Sequence, residues 1–110
     1  MERLYVIVRS DLPPGAQLAQ SCHALSAFAC AHPDLHREWH TGGQNLVVLA
    51  IRDKFTLAGL LYDAANSGVE HARFHEPDFG NELTAIALGA NARRLVASLP
   101  LALKTPKQAA

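Results

Sequence analysis

The sequence lacks an excess of charge of either sign, and this bears on the partners that it can bind. Its 110 residues include ten Lys plus Arg and ten Asp plus Glu, so the formal net charge at pH 7 is zero. A strongly basic balance is the usual electrostatic signature of a nucleic-acid-binding domain. The composition carries no such signature, so any contact with nucleic acid must depend on a local group of side chains.

Cysteine is also scarce. Cys22 and Cys30 are the only two, and both fall in one predicted helix, about 12 Å apart along its axis. A disulfide cannot span that distance. Free thiols, together with an N-terminal segment without a hydrophobic signal region, predict a cytoplasmic protein. Cys22 is predicted to be a small buried hydrophobe, because adjacent helical residues point about 100° apart and His23 is poorly placed to activate it.

Charged residues are absent from Leu12 to Pro33, a stretch of 22 residues that is long enough to be tested as a membrane span. Two prolines break its start, and Gln and His side chains within it would be costly in hydrocarbon. The segment therefore predicts no membrane insertion. It predicts a helix covered on most sides by protein, either by the domain's own sheet or by a second subunit, and the second alternative makes a homodimer.

Hydrophobic residues make up 49% of the chain and are arranged in short apolar runs separated by helical patterns. The patterns predict the order β-α-β-α-β-β-α, hence an α/β fold with a mixed four-stranded sheet and helices on both faces. The predicted strands are 4–8, 45–51, 69–75 and 83–88. The predicted helices are 16–32, 33–39, 53–68 and 89–99. Residues 1–103 are predicted to form a single domain and residues 104–110 a frayed tail.

Polar side chains follow the first and third predicted strands, where ligand sites of open α/β sheets gather. Asp11 precedes the first helix, on which Gln20 and His23 share a face. This pair either bonds loop backbone or faces a ligand. Glu76 and Asp78 follow the third strand and allow three interpretations. One carboxylate could be a general base that the other orients, or the two could bind a metal. Alternatively, Glu76 is a solvated strand end and Asp78 forms a turn. Two histidine pairs, His36 with His40 and His71 with His75, have a spacing that zinc uses but lack a third acidic ligand, so no metal or other cofactor is predicted.

Two segments in this order resemble the opening of the type 2 peptidyl-tRNA hydrolases: residues 5–12, which contain Arg9-Ser10-Asp11-Leu12, and Ala19-Gln20-Ser21-Cys22-His23-Ala24. Further matches follow at Trp39 before Gly42-Gly43 and at the strand that contains Thr84. The resemblance covers nearly the whole chain. It implies a mixed four-stranded sheet between helices, often in a dimer, and cleavage of the ester between a peptide and the 3′ end of tRNA.

Carried over by position, the resemblance implies catalytic roles for Glu76, His23 and Thr84. It implies substrate binding by Asp11 and Gln20, and we add two charged neighbours as binding candidates, Arg9 and Asp78. The implied partner is an acylated tRNA.

The sequence departs from the family pattern at a loop lysine, whose position is held by Ala16, and in a Gly-Arg-Thr run after Glu76. Such a lysine would contact phosphate or stabilise the oxyanion of the tetrahedral intermediate. Arginines could replace it only if they converge, and the candidates are Arg9, Arg73, Arg93 and Arg94. Two functions therefore stay open: a hydrolase of peptidyl-tRNA or a related acylated tRNA, and an inactive family member that binds a nucleotide, a small ligand or a protein.

Overall fold

Four strands form one mixed sheet in the computed structural model, which describes residues 3–104. The strands are β1 (Arg3–Arg9), β2 (Asn45–Ile51), β3 (His71–Glu76) and β4 (Glu82–Leu88). The helices are α1 (Pro14–Ala31), α2 (Pro33–Thr41), α3 (Lys54–Asn66) and α4 (Arg93–Val96). The strand order is β2-β1-β4-β3, with β1 parallel to β2 and β4 antiparallel to both of its neighbours. The predicted α/β fold with a mixed four-stranded sheet is confirmed.

The two central strands, β1 and β4, are buried on both faces, which explains why apolar residues predominate at successive positions of both. Val6 and Val8 of β1 lie in a hydrophobic cluster with Phe28 of α1 on one face. Ile7, which points the other way, lies in a cluster with Leu57 of α3. Helices α1 and α3 therefore cover opposite faces of the sheet.

Within the single chain, helix α1 is covered on one side only, so the domain's own sheet does not enclose it on most sides; cover by a second subunit stays a prediction. Its buried residues are Gln17, Gln20, Ala24 and Phe28. Cys22 is exposed, contrary to prediction, because it lies about 160° around the helix axis from Ala24 at 100° per residue. Both cysteines are free thiols, as predicted. Within residues 3–104 no helix has the length and hydrophobicity needed to cross a membrane.

Helix α3 begins and ends at the predicted signals. The Asp53 carboxylate accepts a hydrogen bond from the Thr56 N–H at 2.8 Å, which satisfies one of the free amides of the first turn. The same hydrogen bond holds the pKa of Asp53 below its usual value. Gly68 follows the helix with φ of +72°, a conformation that favours glycine.

The last predicted helix, 89–99, is much shorter than expected. A 3-10 turn at Ala90–Ala92 leads into α4, which ends at Val96. Pro100 disfavours helix before it, and the chain then turns so that the Ala50 N–H donates to the Pro100 carbonyl and the Ala102 N–H donates to the Val48 carbonyl. These bonds place residues 100–102 along the free edge of β2. Of the predicted tail, residues 105–110 lie outside the described part of the chain.

Candidate active site

The two predicted polar segments lie at the same end of the sheet, where β1 and β3 end. Strands β1 and β3 both pair antiparallel with β4, so they run in the same direction and end together. Helix α1 starts at this end of the sheet, directly after the loop that contains Asp11, and Glu76 is the last residue of β3. The Gln20 amide lies 3.0 Å from the Glu76 carboxylate, so the two segments meet as predicted.

A chain of hydrogen bonds joins β4, α1 and β3 at this end of the sheet. The Thr84 hydroxyl donates to the Gln20 Oε1 at 2.6 Å, and the Gln20 Nε2 donates to the Glu76 Oε1 at 3.0 Å. Thr84 is fully buried and Gln20 is 2% exposed, whereas Glu76 is only partly buried. The chain therefore runs from the protein interior to a carboxylate that water can reach, and it holds one oxygen of that carboxylate in place.

A β-bulge directs Thr84 toward α1. Phe74 pairs with Ala85 and His75 pairs with Leu83, which leaves Thr84 as the extra residue on β4. Leu83 packs in the cluster on the α3 face and Ala85 in the cluster on the α1 face. Without the bulge, these two residues would share a face and Thr84 would point to the other one. The bulge thus allows Thr84 to reach Gln20.

His23 lies one turn further along α1 than Gln20 and is exposed. Its ring stacks on Phe74, with ring centroids 4.5 Å apart and an angle of 23° between the planes. Phe74 and Glu76 are two residues apart on β3 and both contact α1, so His23 lies beside the Gln20–Glu76 pair rather than on another side of the molecule. The imidazole is accessible to a bound ligand.

Arg9 and Asp11, both predicted to bind substrate, form an ion pair with each other. Two nitrogens of the Arg9 guanidinium donate to the two oxygens of Asp11 at 2.9 and 2.8 Å. Arg9 also donates to Glu82 at 2.8 Å, and Lys54 donates to the other oxygen of Glu82 at 2.9 Å. Two carboxylates therefore compete with any phosphate for Arg9, whose side chain is 8% exposed, and substrate binding by Arg9 and Asp11 stays a prediction.

These ion pairs change the pKa values of Arg9, Asp11 and Glu82. The hydrogen bonds from Arg9 hold the pKa of Asp11 below its usual value, and those from Arg9 and then Lys54 do the same for Glu82. The hydrogen bond to Asp11 raises the pKa of Arg9. Sequence reasoning missed Lys54 and Glu82, because nothing in the sequence indicates that residues 28 positions apart meet at the end of β1.

Comparison with known proteins identifies the family. The family described as Peptidyl-tRNA hydrolase PTH2 matches this chain over residues 3–105. The chain belongs to the PTH2 family. It is similar to Peptidyl-tRNA hydrolase 2 of Saccharomyces cerevisiae, with 34% identity over 86 residues that take in 67% of this chain and 41% of the yeast protein. The chain thus spans about two-fifths of the length of that relative.

A solved structure shares the fold. A protein of unknown function from Agrobacterium tumefaciens superposes on this PTH2 family member with a TM-score of 0.66 and 16% sequence identity, covering 90% of this chain and 96% of the other. At that identity the likeness concerns the fold alone.

The arginines of this PTH2 family member do not converge on the position of the missing lysine. Ala16 lies one turn before Gln20 at the start of α1. Arg9 is held in the ion pairs described above, and Arg73 is exposed on β3. Arg93 lines a cavity with Arg3 at the opposite end of β1, and Arg94 follows Arg93 in α4. The condition under which arginines would replace the lysine is therefore not met.

Asp78 and the histidine pairs lie outside the hydrogen-bonded chain. Asp78 is exposed on a 3-10 turn, Pro77–Phe79, directly after Glu76. His36 and His40 share a face of α2, with ring centroids 6.2 Å apart. Among residues 3–104 no three His, Cys, Asp or Glu side chains are grouped so that they could hold a metal ion.

Gln17 has a structural role that sequence reasoning also missed. Its side-chain amide donates to the Leu12 carbonyl at 2.7 Å and to the Ser10 carbonyl at 3.3 Å. Gln17 is buried and therefore holds the loop between β1 and α1 against the helix. These hydrogen bonds act together with the Arg9–Asp11 ion pair, which holds the same loop from the side of β1.

Proposed function

We propose that this chain hydrolyses the ester of peptidyl-tRNA or of a related acylated tRNA, with Glu76 as the general base. The proposal is carried by the Thr84–Gln20–Glu76 hydrogen bonds, which orient a partly exposed carboxylate next to the accessible imidazole of His23. Membership of the PTH2 family supports the same reaction class.

In the proposed reaction, Glu76 and a water molecule supply the nucleophile. The oxygen of Glu76 that does not bond Gln20 accepts a proton from the water as the water oxygen attacks the ester carbonyl. The tetrahedral intermediate then collapses, the bond to the 3′ oxygen of the tRNA breaks, and Glu76 returns the proton to that oxygen. The products are a free peptide acid and a tRNA with a free 3′ hydroxyl.

Three groups support this step in different ways. Thr84 is a positioning residue, because it is fully buried and acts through Gln20. His23 is placed to donate a hydrogen bond to the ester end. The first turn of α1 has no side-chain cap and no acidic residue, and its prolines carry no N–H, so the backbone amides of Gly15 and Ala16 are the ones that can bind the oxyanion. In this role they take the place of the family's lysine.

The proposal is tested with N-acetylaminoacyl-tRNA as substrate. Wild-type protein should release the N-acetyl amino acid, and Glu76→Gln should lower kcat by about 100-fold or more, the usual contribution of a general base. Asp34→Asn is the matched control, because Asp34 is an exposed carboxylate on α2 and its loss should leave the rate unchanged.

The contrary outcome is equally clear. Full turnover by Glu76→Gln would exclude Glu76 as the base. Absence of turnover by the wild type would favour the second function, an inactive binding module, for which the replacement of the family's lysine by Ala16 is the supporting observation.

We also propose that the chain acts in the cytoplasm as a homodimer. Two free cysteines support a reducing compartment. The uncharged outer side of α1, on which Leu18 is 59% exposed, supports contact with a second copy.

A further inference from the structure

A shallow cavity of about 410 Å³ lies between α3 and β3, on the sheet face opposite to Gln20. The helix side and the strand side of this cavity differ in chemistry. Small and apolar residues and one tyrosine line it from α3. One arginine and two histidines line it from β3. The lining residues are Ala58, Leu61, Tyr62 and Ala65 from α3, His71, Arg73 and His75 from β3, and Leu83 from β4.

The space exists because of one face of α3. Residues 58, 61, 62 and 65 have the spacing i, i+3, i+4 and i+7, which places them on a single side of the helix. Ala58 and Ala65 at the two ends of this row have short side chains and leave a groove beside the sheet. The buried residues of α3, Leu57, Leu60 and Ala64, form the neighbouring row that packs on the sheet.

The strand side of the cavity offers hydrogen-bond donors and a positive charge without a neighbouring carboxylate. Arg73 is exposed and has no ion-pair partner among residues 3–104, and no Asp or Glu lines the cavity. The His71 Nδ1 is engaged with the Val69 carbonyl at 2.9 Å, which leaves its Nε2 available. His75 is exposed on the same side of β3.

Tyr62 is 70% exposed at the rim of the cavity. An aromatic ring next to unpaired cationic side chains is the arrangement with which proteins bind single-stranded nucleic acid, since the ring stacks on a base and the cations contact phosphate. We propose that this cavity binds a single-stranded RNA segment of the acylated tRNA, with a base on Tyr62 and a phosphate on Arg73. This inference rests on the proposed function.

The position of the cavity suits that role. Arg73 and Glu76 are three residues apart on β3, about 10 Å at the rise of a strand. The Glu76 carboxylate lies on the α1 face and the cavity on the α3 face, but β3 is an edge strand, so RNA that passes around this strand could bring its 3′ end to the carboxylate. A local site of this kind also supplies the phosphate contacts that the zero net charge and Ala16 do not.

The test measures RNA binding by the full chain without hydrolysis. A fluorescently labelled single-stranded oligoribonucleotide ending in the 3′ sequence of tRNA is titrated with protein, in parallel with deacylated tRNA. Tyr62→Ser and Arg73→Gln should each weaken binding about fivefold or more, and Arg73→Gln should lower the slope of log K against log salt by about one. Tyr62→Phe, which keeps the ring, should retain binding.

Two matched controls separate the cavity from the general surface. Phe55→Ser removes an aromatic ring of α3 that is 77% exposed and lies outside the cavity, and Arg37→Gln removes an exposed arginine of α2. Both variants should bind like the wild type. Unchanged binding by Tyr62→Ser and Arg73→Gln, or no RNA binding by the wild type, would overturn the inference.

Failure of the inference is distinguishable from failure of the proposed function. Glu76→Gln should bind the oligoribonucleotide normally while losing hydrolysis. If the wild type hydrolyses acylated tRNA and the cavity variants bind RNA normally, only the cavity inference is wrong. If the cavity variants lose RNA binding and the wild type hydrolyses nothing, only the hydrolase proposal is wrong.

Discussion

At the scale of single residues, the site depends on the hydroxyl of Thr84, which is fully buried. Thr84 donates to Gln20, and Gln20 can then present its amide to Glu76 in one orientation only. Without this donor, the Gln20 side chain could rotate by half a turn and place its oxygen against the carboxylate. Because two oxygens in contact repel each other, the hydroxyl determines which orientation the amide adopts.

Thr84→Val should separate this role from a purely structural one. The change removes the hydroxyl with little change of shape and leaves the buried Gln20 Oε1 without its donor, so we expect a loss of unfolding free energy of about 1–3 kcal/mol. We also expect a fall in kcat of about tenfold or more with KM little changed, since the base is less well oriented. Denaturant titrations and steady-state kinetics measure both.

Thr84→Ser provides the control, because it restores the hydroxyl and should recover kcat. A fall in stability with kcat unchanged in Thr84→Val would show that the hydroxyl serves only the fold.

At the scale of secondary-structure elements, the start of α1 is the part of the site that differs most from the family. Ala16 shares a helix face with Gln20 and is partly buried. We expect Ala16→Lys to raise kcat/KM for acylated tRNA by about 10-fold to 100-fold, because it adds a cation where the family places one, and a single oxyanion-stabilising group is worth up to about 4 kcal/mol. The measurement is kcat/KM with N-acetylaminoacyl-tRNA.

Ala29→Lys is the control for this gain, since it adds the same charge to the same helix about 20 Å away along the axis. Ala29 has a similar degree of burial. An equal gain in both variants would mean that added charge, rather than its position, improves the substrate's binding.

The elements themselves could largely be predicted from the sequence, whereas the contacts of the site could not. The apolar runs 4–8 and 45–51 and the Asp53 cap gave strands and a helix within a few residues of those observed. The bulge at Thr84 could not be predicted, because it leaves no mark in Leu83-Thr84-Ala85 and results from the register in which β4 pairs with β3. The same holds for the pairing of Arg9 with Glu82, for which 73 residues of chain must first fold. The exposure of Cys22 was mispredicted because residue type was given more weight than its position around the helix.

At the scale of the whole molecule, the ion pairs at the end of β1 should make stability depend on acid pH. Because the folded pKa values of Asp11 and Glu82 lie below their usual values of 3.8 and 4.5, these pairs stabilise the fold above pH 4.5. The stabilisation is lost as the pH falls below these values toward the folded pKa values. We expect Asp11→Asn to be less stable than the wild type at pH 7 and to differ less from it at pH 3.

Urea titrations of both proteins at several pH values measure this dependence. A difference in unfolding free energy that stays constant from pH 7 to pH 3 would contradict it.

The uncharged outer side of α1 gives a prediction about assembly. If it contacts a second copy, Leu18→Glu should place a charge in the interface and convert a dimer to a monomer in light-scattering measurements. Phe55→Glu, a similar change at a residue of α3 that is 77% exposed, should leave the dimer intact. A wild-type protein that is monomeric at all concentrations would exclude the homodimer.

The return of residues 100–102 along β2 also bears on how the molecule avoids polymerising. Because Val48 and Ala50 of β2 already have backbone partners in residues 100–102, a full-length strand cannot pair along β2, and within residues 3–104 the outer side of β3 remains open to one. A molecule with one unpaired strand edge can pair with a single neighbour, after which no edge is left. A molecule with two unpaired strand edges can continue to add neighbours and form a filament. The segment 100–102 thus limits any association between strands of two molecules to a pair.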